Sequence, residues 1–187
     1  MNAPHDNTHL TVATRTGVTG FKCSMCALPP GAEAELGKVK GKLTLPGKVS
    51  DPLVFVAGGI GIVPFVSMLR DLAHRDPSAL DLVTLLYFNR GPAATAYRDE
   101  LEQLQRHHRG LTVTMSMTRD ESWSGERGRL GDPLLERVVG TPDRHRFYVV
   151  GTPGMVKGAT KTLTRAGVDK KRILTEDFSG YGGVLAG

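Results

Sequence analysis

Gly58, Gly59 and Gly61 follow directly on the apolar run Leu53-Val-Phe-Val-Ala57 and stand just before Ile62-Val-Pro64-Phe65. A turn without Cβ atoms lets the phosphates of a ligand come close to the backbone. Pro64 suits the opening of a helix, where its missing N–H costs nothing and its φ is already set. The helix it opens turns unpaired N–H groups and a partial positive charge back on the glycines. The chemistry on offer is anion binding, and the pyrophosphate of a dinucleotide is the fitting anion. A tight strand-to-helix turn with no ligand is the alternative.

The turn departs from the usual dinucleotide fingerprint. Gly59-Ile-Gly61 supplies G-x-G, but Pro64 stands where a third glycine belongs. The next strand, ending at Phe88, runs into Asn89-Arg90 rather than the acidic residue that usually holds the ribose. A different way of holding the ribose is implied. Cys23-Ser-Met-Cys26 offers a second chemistry, as a redox pair or half of a metal site. A zinc site needs about four ligands. There is no second CxxC, and His107-His108 are not spaced as a ligand pair. No metal centre is therefore expected, and two cysteines cannot ligate a four-cysteine iron–sulfur cluster. The apolar content of Phe21 to Leu28 points to a short helix with both thiols buried or half-buried.

The elements that position the glycines show in the alternation of the chain. From residue 53 onward strand and helix patterns take turns: strand Leu53–Ala57, helix Val63–His74, strand Asp81–Phe88, helix Pro92–His107 and strand Leu111–Met117. After a polar loop from Arg119 to Arg129 come a helix from Asp132 to about Val139, strand Arg146–Val150, helix Pro153–Ala166 and a short strand Arg172–Thr175. Such alternation predicts an α/β fold with a five-stranded parallel sheet and right-handed crossovers. Ligands of such sheets sit beyond the carboxyl ends of the strands. Residues 1–50 read differently. His9–Thr14, Ala32–Leu36 and Lys42–Leu45 are short strand-like runs between Gly and Pro turns, too little to close a domain.

Composition sets the limits. The 187 residues hold one substantial core, and 40% hydrophobic with 23% charged residues is ordinary for a water-soluble globular chain. No run of apolar residues is long enough to span a membrane, and Met1 to His9 lacks the apolar core of a secretion signal. Cytoplasm is the expected compartment. The net charge of +5 is spread along the chain without a Lys/Arg block, so a phosphorylated cofactor accounts for it and nucleic acid is not expected.

Ala57-Gly-Gly-Ile-Gly-Ile-Val-Pro64-Phe65 resembles the nucleotide-binding signature, usually written AGGIGITP, of the ferredoxin–NADP⁺ reductase superfamily. The resemblance extends through Leu85-Leu-Tyr-Phe-Asn-Arg90, Thr118-Arg119, Gly151-Thr-Pro-Gly-Met155 and Thr175-Glu-Asp-Phe-Ser-Gly-Tyr181, covering about residues 9–182. It implies an NAD(P)H-dependent flavin oxidoreductase that passes a hydride from NAD(P)H to FAD. Electrons then go on to an acceptor protein or small molecule, such as an iron–sulfur protein. By the same resemblance, Gly58, Gly59, Gly61, Ile62 and Pro64 would hold the pyrophosphate. Asn89, Arg90, Thr118 and Arg119 would meet the adenosine and a 2′-phosphate, which a guanidinium can clasp with paired hydrogen bonds. NADH and NADPH both stay open, as does a plain solvated role for either arginine.

Gly151, Thr152, Pro153 and Met155 would line the nicotinamide pocket, with Val150 and Thr152 where relatives often carry Cys and Pro. Glu176 and Phe178 resemble the acidic and aromatic residues that face the flavin ring; a packed Phe on a frayed tail is the plainer reading. The family's Arg-x-[Phe/Tyr]-[Ser/Thr] flavin strand has no counterpart before His9-Leu-Thr-Val-Ala-Thr-Arg15. Thr19-Gly-Phe-Lys22 to Leu28 resembles the barrel helix near the FAD pyrophosphate. The resemblance thus divides the chain into a partial antiparallel β-barrel segment, residues 1–50, and an NAD(P)-binding domain, residues 51–187. It implies FAD that is weakly held or not retained. A nucleotide-binding module without turnover of its own is the alternative.

Overall fold

Leu53–Gly58 forms the central strand, β1, of a sheet whose strands all run parallel to their neighbours. The computed structural model describes residues 2–6, 8–15, 19–38 and 41–178. Around β1 are β2 (Val83–Asn89), β3 (Thr112–Met117), β4 (Glu126–Arg127), β5 (Arg146–Gly151) and β6 (Ile173–Asp177). Among the described residues the sheet has six strands in the order β4-β3-β2-β1-β5-β6. The chain runs outward from β1 to one edge and then crosses back to β5 on the other side. The reversal point lies beside β1, the place where open parallel sheets bind ligands.

Helices α2 (Val63–Arg75), α3 (Arg98–His107), α4 (Asp132–Val139) and α5 (Pro153–Arg165) cover the sheet. Side chains alternate between the faces of a strand, so β1 divides its residues between two cores. Phe55 and Ala57 join Phe65, Leu69 and Leu72 of α2, while Val54 and Val56 join Leu134, Leu135, Val156 and Leu163 of α4 and α5. Burial on both faces is why these strands read as continuous apolar runs. Phe55 stacks on Phe65 with centroids 4.7 Å apart and takes the edge of Tyr148 at 5.5 Å. Such aromatic pairs add about 0.5–1.5 kcal/mol each beyond the area they bury.

Three expectations change. The sheet gains Glu126–Arg127, whose pairing (Ser116 with Glu126, Met117 with Arg127) lies inside the loop expected between Arg119 and Arg129. A two-residue polar strand has no periodicity to read; β3 and the Glu126–Arg137 ion pair hold it in place. The single helix expected over Pro92–His107 splits into a 3₁₀ turn, Pro92–Ala94, and α3, because Tyr97 takes a left-handed conformation (φ 58°) ahead of Arg98. Finally, none of the described residues in the runs expected as strands at 9–14, 32–36 and 42–45 is in a strand. Extended segments need ladder partners for their backbone groups, and among the described residues no strand pairs with these.

The short helix expected near the cysteines is α1, Gly20–Ala27, but it buries none of its residues, and Cys23 and Cys26 are both exposed. The N-terminal segment is nonetheless tied to the α/β unit. Ser67 Oγ donates to the Asn2 carbonyl (2.8 Å), the Arg75 guanidinium to that of Gly47 (2.7 Å) and the Tyr148 hydroxyl to that of Thr44 (3.1 Å). Ala3 and Val49 are buried, and the His5 ring stacks on His74 at 3.9 Å. Among the described residues no helix is long and apolar enough to cross a membrane.

Candidate functional site

β1 ends in Gly58, and Gly59–Ile62 closes a 3₁₀ turn before α2. The glycines do separate jobs. Gly59 has φ +55°, a conformation side-chain-bearing residues rarely adopt. A Cβ on Gly61 would lie 2.4 Å from the Val150 carbonyl oxygen, so this glycine lets the turn close onto β5. Gly58 and Gly151 stand side by side at the ends of β1 and β5. A Cβ on either would meet the Met155 sulfur, at 3.2 and 2.8 Å respectively. The thioether therefore lies across two bare backbone positions.

A cleft of about 560 Å³ opens over these strand ends. Gly58 and Gly59 line its middle, Asn89, Arg90, Thr118 and Arg119 one end, and Gly151, Thr152, Met155 and Phe178 the other. The expected pyrophosphate set divides: Gly61 and Ile62 are buried behind the turn, with Ile62 in the first core layer, and Pro64 is the second residue of α2. Pro153 opens α5 and Glu176 pairs with Val150 in β6, both outside the cleft lining. Phe178 is held at the rim by its N–H, which donates to the Gly151 carbonyl (2.9 Å). Ser179, Gly180 and Tyr181 of the expected C-terminal block lie outside the described residues.

The β2 and β3 ends are locked together. Thr118 donates to the Asn89 carbonyl through both its N–H (2.8 Å) and its hydroxyl (2.9 Å), and the Arg119 N–H donates to the Arg90 carbonyl (3.0 Å). The two arginines are thus presented from adjacent backbone. Asn89 itself is 4% exposed, and among the described residues neither end of its side-chain amide makes a well-aligned hydrogen bond, with only the Tyr87 hydroxyl beside it. An unpaired buried amide costs about 1–3 kcal/mol, which a hydrogen-bonding ligand offsets. Next to it the Tyr87 hydroxyl lacks a well-aligned partner among the described residues; burial pushes its pKa above the ordinary phenol value, opposed by the Asn89 side chain.

Two of the lining arginines, Arg15 and Arg129, carried no signal in the local pattern. Arg129 comes from the loop behind β4, and Arg15 from the N-terminal arm. Gly154, Gly158 and Thr162 also line the cleft. Their spacing of four along α5 puts three small residues on one helix face, a pattern that was legible. Four arginines and no carboxylate face this space, and none of the four pairs with an acidic group among the described residues. An elongated cleft with a bare glycine middle, an orphan amide and unpaired cations fits a dinucleotide phosphate.

A family model described as the oxidoreductase NAD-binding domain matches residues 55–161. The chain is 26% identical to one component of the Na(+)-translocating NADH-quinone reductase of Pseudomonas paraeruginosa, over 88% of this chain and 46% of that protein. It thus spans about half the length of such relatives. A cytochrome P450 reductase from Amycolatopsis superposes with a TM-score of 0.67 at 25% identity, covering 81% of this chain and 46% of that one. A ferredoxin NADP⁺ reductase from Neisseria gonorrhoeae, solved with FAD and NADP bound, superposes with a TM-score of 0.59 at 27% identity, covering 73% and 61%. This chain therefore belongs to the oxidoreductase NAD-binding domain family, within the ferredoxin–NADP⁺ reductase superfamily.

Proposed function

We propose that the chain is the NAD(P)H-binding part of a flavin-linked oxidoreductase. The observation that carries this reading is the glycine-floored cleft at the reversal point of a parallel sheet, lined by four arginines that form no ion pair among the described residues. When bound, the reduced nicotinamide supplies a hydride; the protein supplies binding, orientation and charge. In this reading Gly58 and Gly59 admit the pyrophosphate. Arg90, Arg119 and Arg129 take the adenosine end and favour a 2′-phosphate, hence NADPH. Gly151, Thr152 and Met155 form the floor for the nicotinamide. Phe178, beside Gly151 at the rim, has a position suited to covering a ring face. A proton-relay role for Glu176 rests on the family resemblance alone.

The flavin side is different. Among the described residues of the first 50, α1 is the one regular element, and Leu10, Val12, Phe21 and Leu36 are well exposed. That observation favours the second reading, a nucleotide-binding module whose flavin and electron acceptor, such as an iron–sulfur protein, are supplied from elsewhere. In it, residues 1–50 are a flavin-side segment and residues 51–187 the nucleotide domain.

Titration of the purified chain with NADPH and NADH, together with its visible spectrum and dye reduction with added FAD, tests both. Saturable binding with flavin reduction supports the enzyme. Saturable binding without turnover supports the module, and absence of binding overturns both.

A further inference from the structure

The two cysteines of the chain, Cys23 and Cys26, both lie on α1 and both are exposed. No residue of α1 lines the nucleotide cleft, so whatever chemistry the pair performs is independent of the nucleotide reading. Residues three apart on a helix are neighbours on its surface, with Cβ atoms about 5–6 Å apart. A disulfide brings its Cβ atoms to about 3.5–4.5 Å. Joining Cys23 to Cys26 therefore asks the two to approach by roughly 1–2 Å, and the helix between them to give.

A helix packed into a core would resist that change, but α1 is not held in this way. It is eight residues long and buries none of them, and its largest apolar side chain, Phe21, is 76% exposed. Thr19 at its N-cap makes no side-chain capping bond, and Pro29-Pro30 follow directly on its C-cap, Leu28. Helices this short are marginal without tertiary packing. The bond can therefore close, and an exposed, strained disulfide belongs to the readily reduced kind.

We propose that Cys23 and Cys26 form a reversible dithiol–disulfide site that exchanges with low-molecular-weight disulfides. One cysteine, as its thiolate, attacks a sulfur of the small disulfide; a mixed disulfide forms and one small thiol leaves. The other cysteine then attacks the protein sulfur of the mixed disulfide, closing the internal bond and releasing the second small thiol. The protons of the two cysteine thiols end on the two departing thiols. The protein dithiol loses two electrons and the small disulfide gains them. Ser24 and Ala27, the small residues beside the pair, are exposed as well, so a small disulfide can approach either sulfur.

Equilibration of the native whole chain in glutathione buffers of graded oxidised-to-reduced ratio, quenched in acid and read by thiol alkylation and intact mass, tests this. In oxidised buffer both alkylatable thiols should disappear together, leaving a monomer lighter by the two thiol hydrogens. Excess reduced glutathione should return both. Cys23→Ser and Cys26→Ser should each stop at a single glutathione adduct, the exchange intermediate that the missing thiol would have resolved. Thiols that remain alkylatable in the native chain, and are lost only when urea is added, would overturn the site. So would glutathione on both cysteines of the wild type with no internal bond, a disulfide-linked dimer, or an internal bond that excess reduced glutathione leaves closed.

Discussion

At the scale of single residues, the motif glycines are not interchangeable. Gly61 is required by packing, since a Cβ there would collide with the backbone of Val150 and backbone cannot swing aside. Gly61→Ala should cost roughly 3 kcal/mol, about 6–12 °C in Tm, as read by thermal unfolding of the unliganded protein. An unchanged Tm would show that the turn and β5 are not in contact. Asn89 should behave in the opposite sense. Replacing its buried amide, which among the described residues makes no well-aligned hydrogen bond, with the apolar, similarly sized Leu should stabilise the unliganded protein by about 1 kcal/mol while weakening nucleotide binding. Loss of stability in Asn89→Leu would mean that the amide has a partner in the free protein. The sequence shows all these residues, but it ascribes one role to a set of five in which Gly58 and Gly59 line the cleft and Gly61, Ile62 and Pro64 do not. Burial sets Gly61 and Ile62 apart from the two that line the cleft, and for Gly61 that burial depends on where β5 lies.

At the scale of elements, His145 stands directly before β5 and is partly buried. Burial, with the charge of Arg172 adding, lowers its pKa from 6.5, while the Thr141 carbonyl and Asp143 oppose. The unfolded chain therefore binds a proton more readily than the folded one. The stability this group contributes is complete above about pH 6.5 and is lost as pH falls through the folded-state pKa. Urea midpoints between pH 8 and pH 5 should fall less in His145→Gln than in the wild type; parallel curves would exclude His145 as the source.

Strand and helix identities were largely legible from residue 53 onward, because buried parallel strands are continuous apolar runs and their helices carry amphipathic spacing. The break at Tyr97 was not legible: a left-handed residue without glycine leaves no mark in hydrophobic periodicity. Neither were the exposed positions of Cys23 and Cys26 on α1. Apolar neighbours suggested burial, but a helix is buried only if something packs on it, and none of its residues is buried here.

At the scale of the whole molecule, a net charge of +5 and four cleft arginines make nucleotide binding an electrostatic affair. Raising salt from about 0.05 to 0.3 M shrinks the screening length from roughly 14 to 6 Å. NADPH affinity should fall more steeply with salt than NADH affinity, and Arg119→Ala should bring the two slopes together. Equal slopes in the wild type would remove the 2′-phosphate from the Arg90–Arg119–Arg129 end.

The amino-acid sequence by itself determined the class of fold, the order of its main elements and the place of the glycine turn. Each of these follows from local chemistry: which residues avoid water, which permit a turn without a side chain, and at what spacing. The tertiary structure alone decided that Arg15 and Arg129 reach the cleft, that Glu176 does not line it, that a sixth strand joins β3, and that Met155 covers two glycines at once. These are meetings between residues far apart in the chain. The pattern around each residue is silent about them, because long-range contacts are set by how the layers pack.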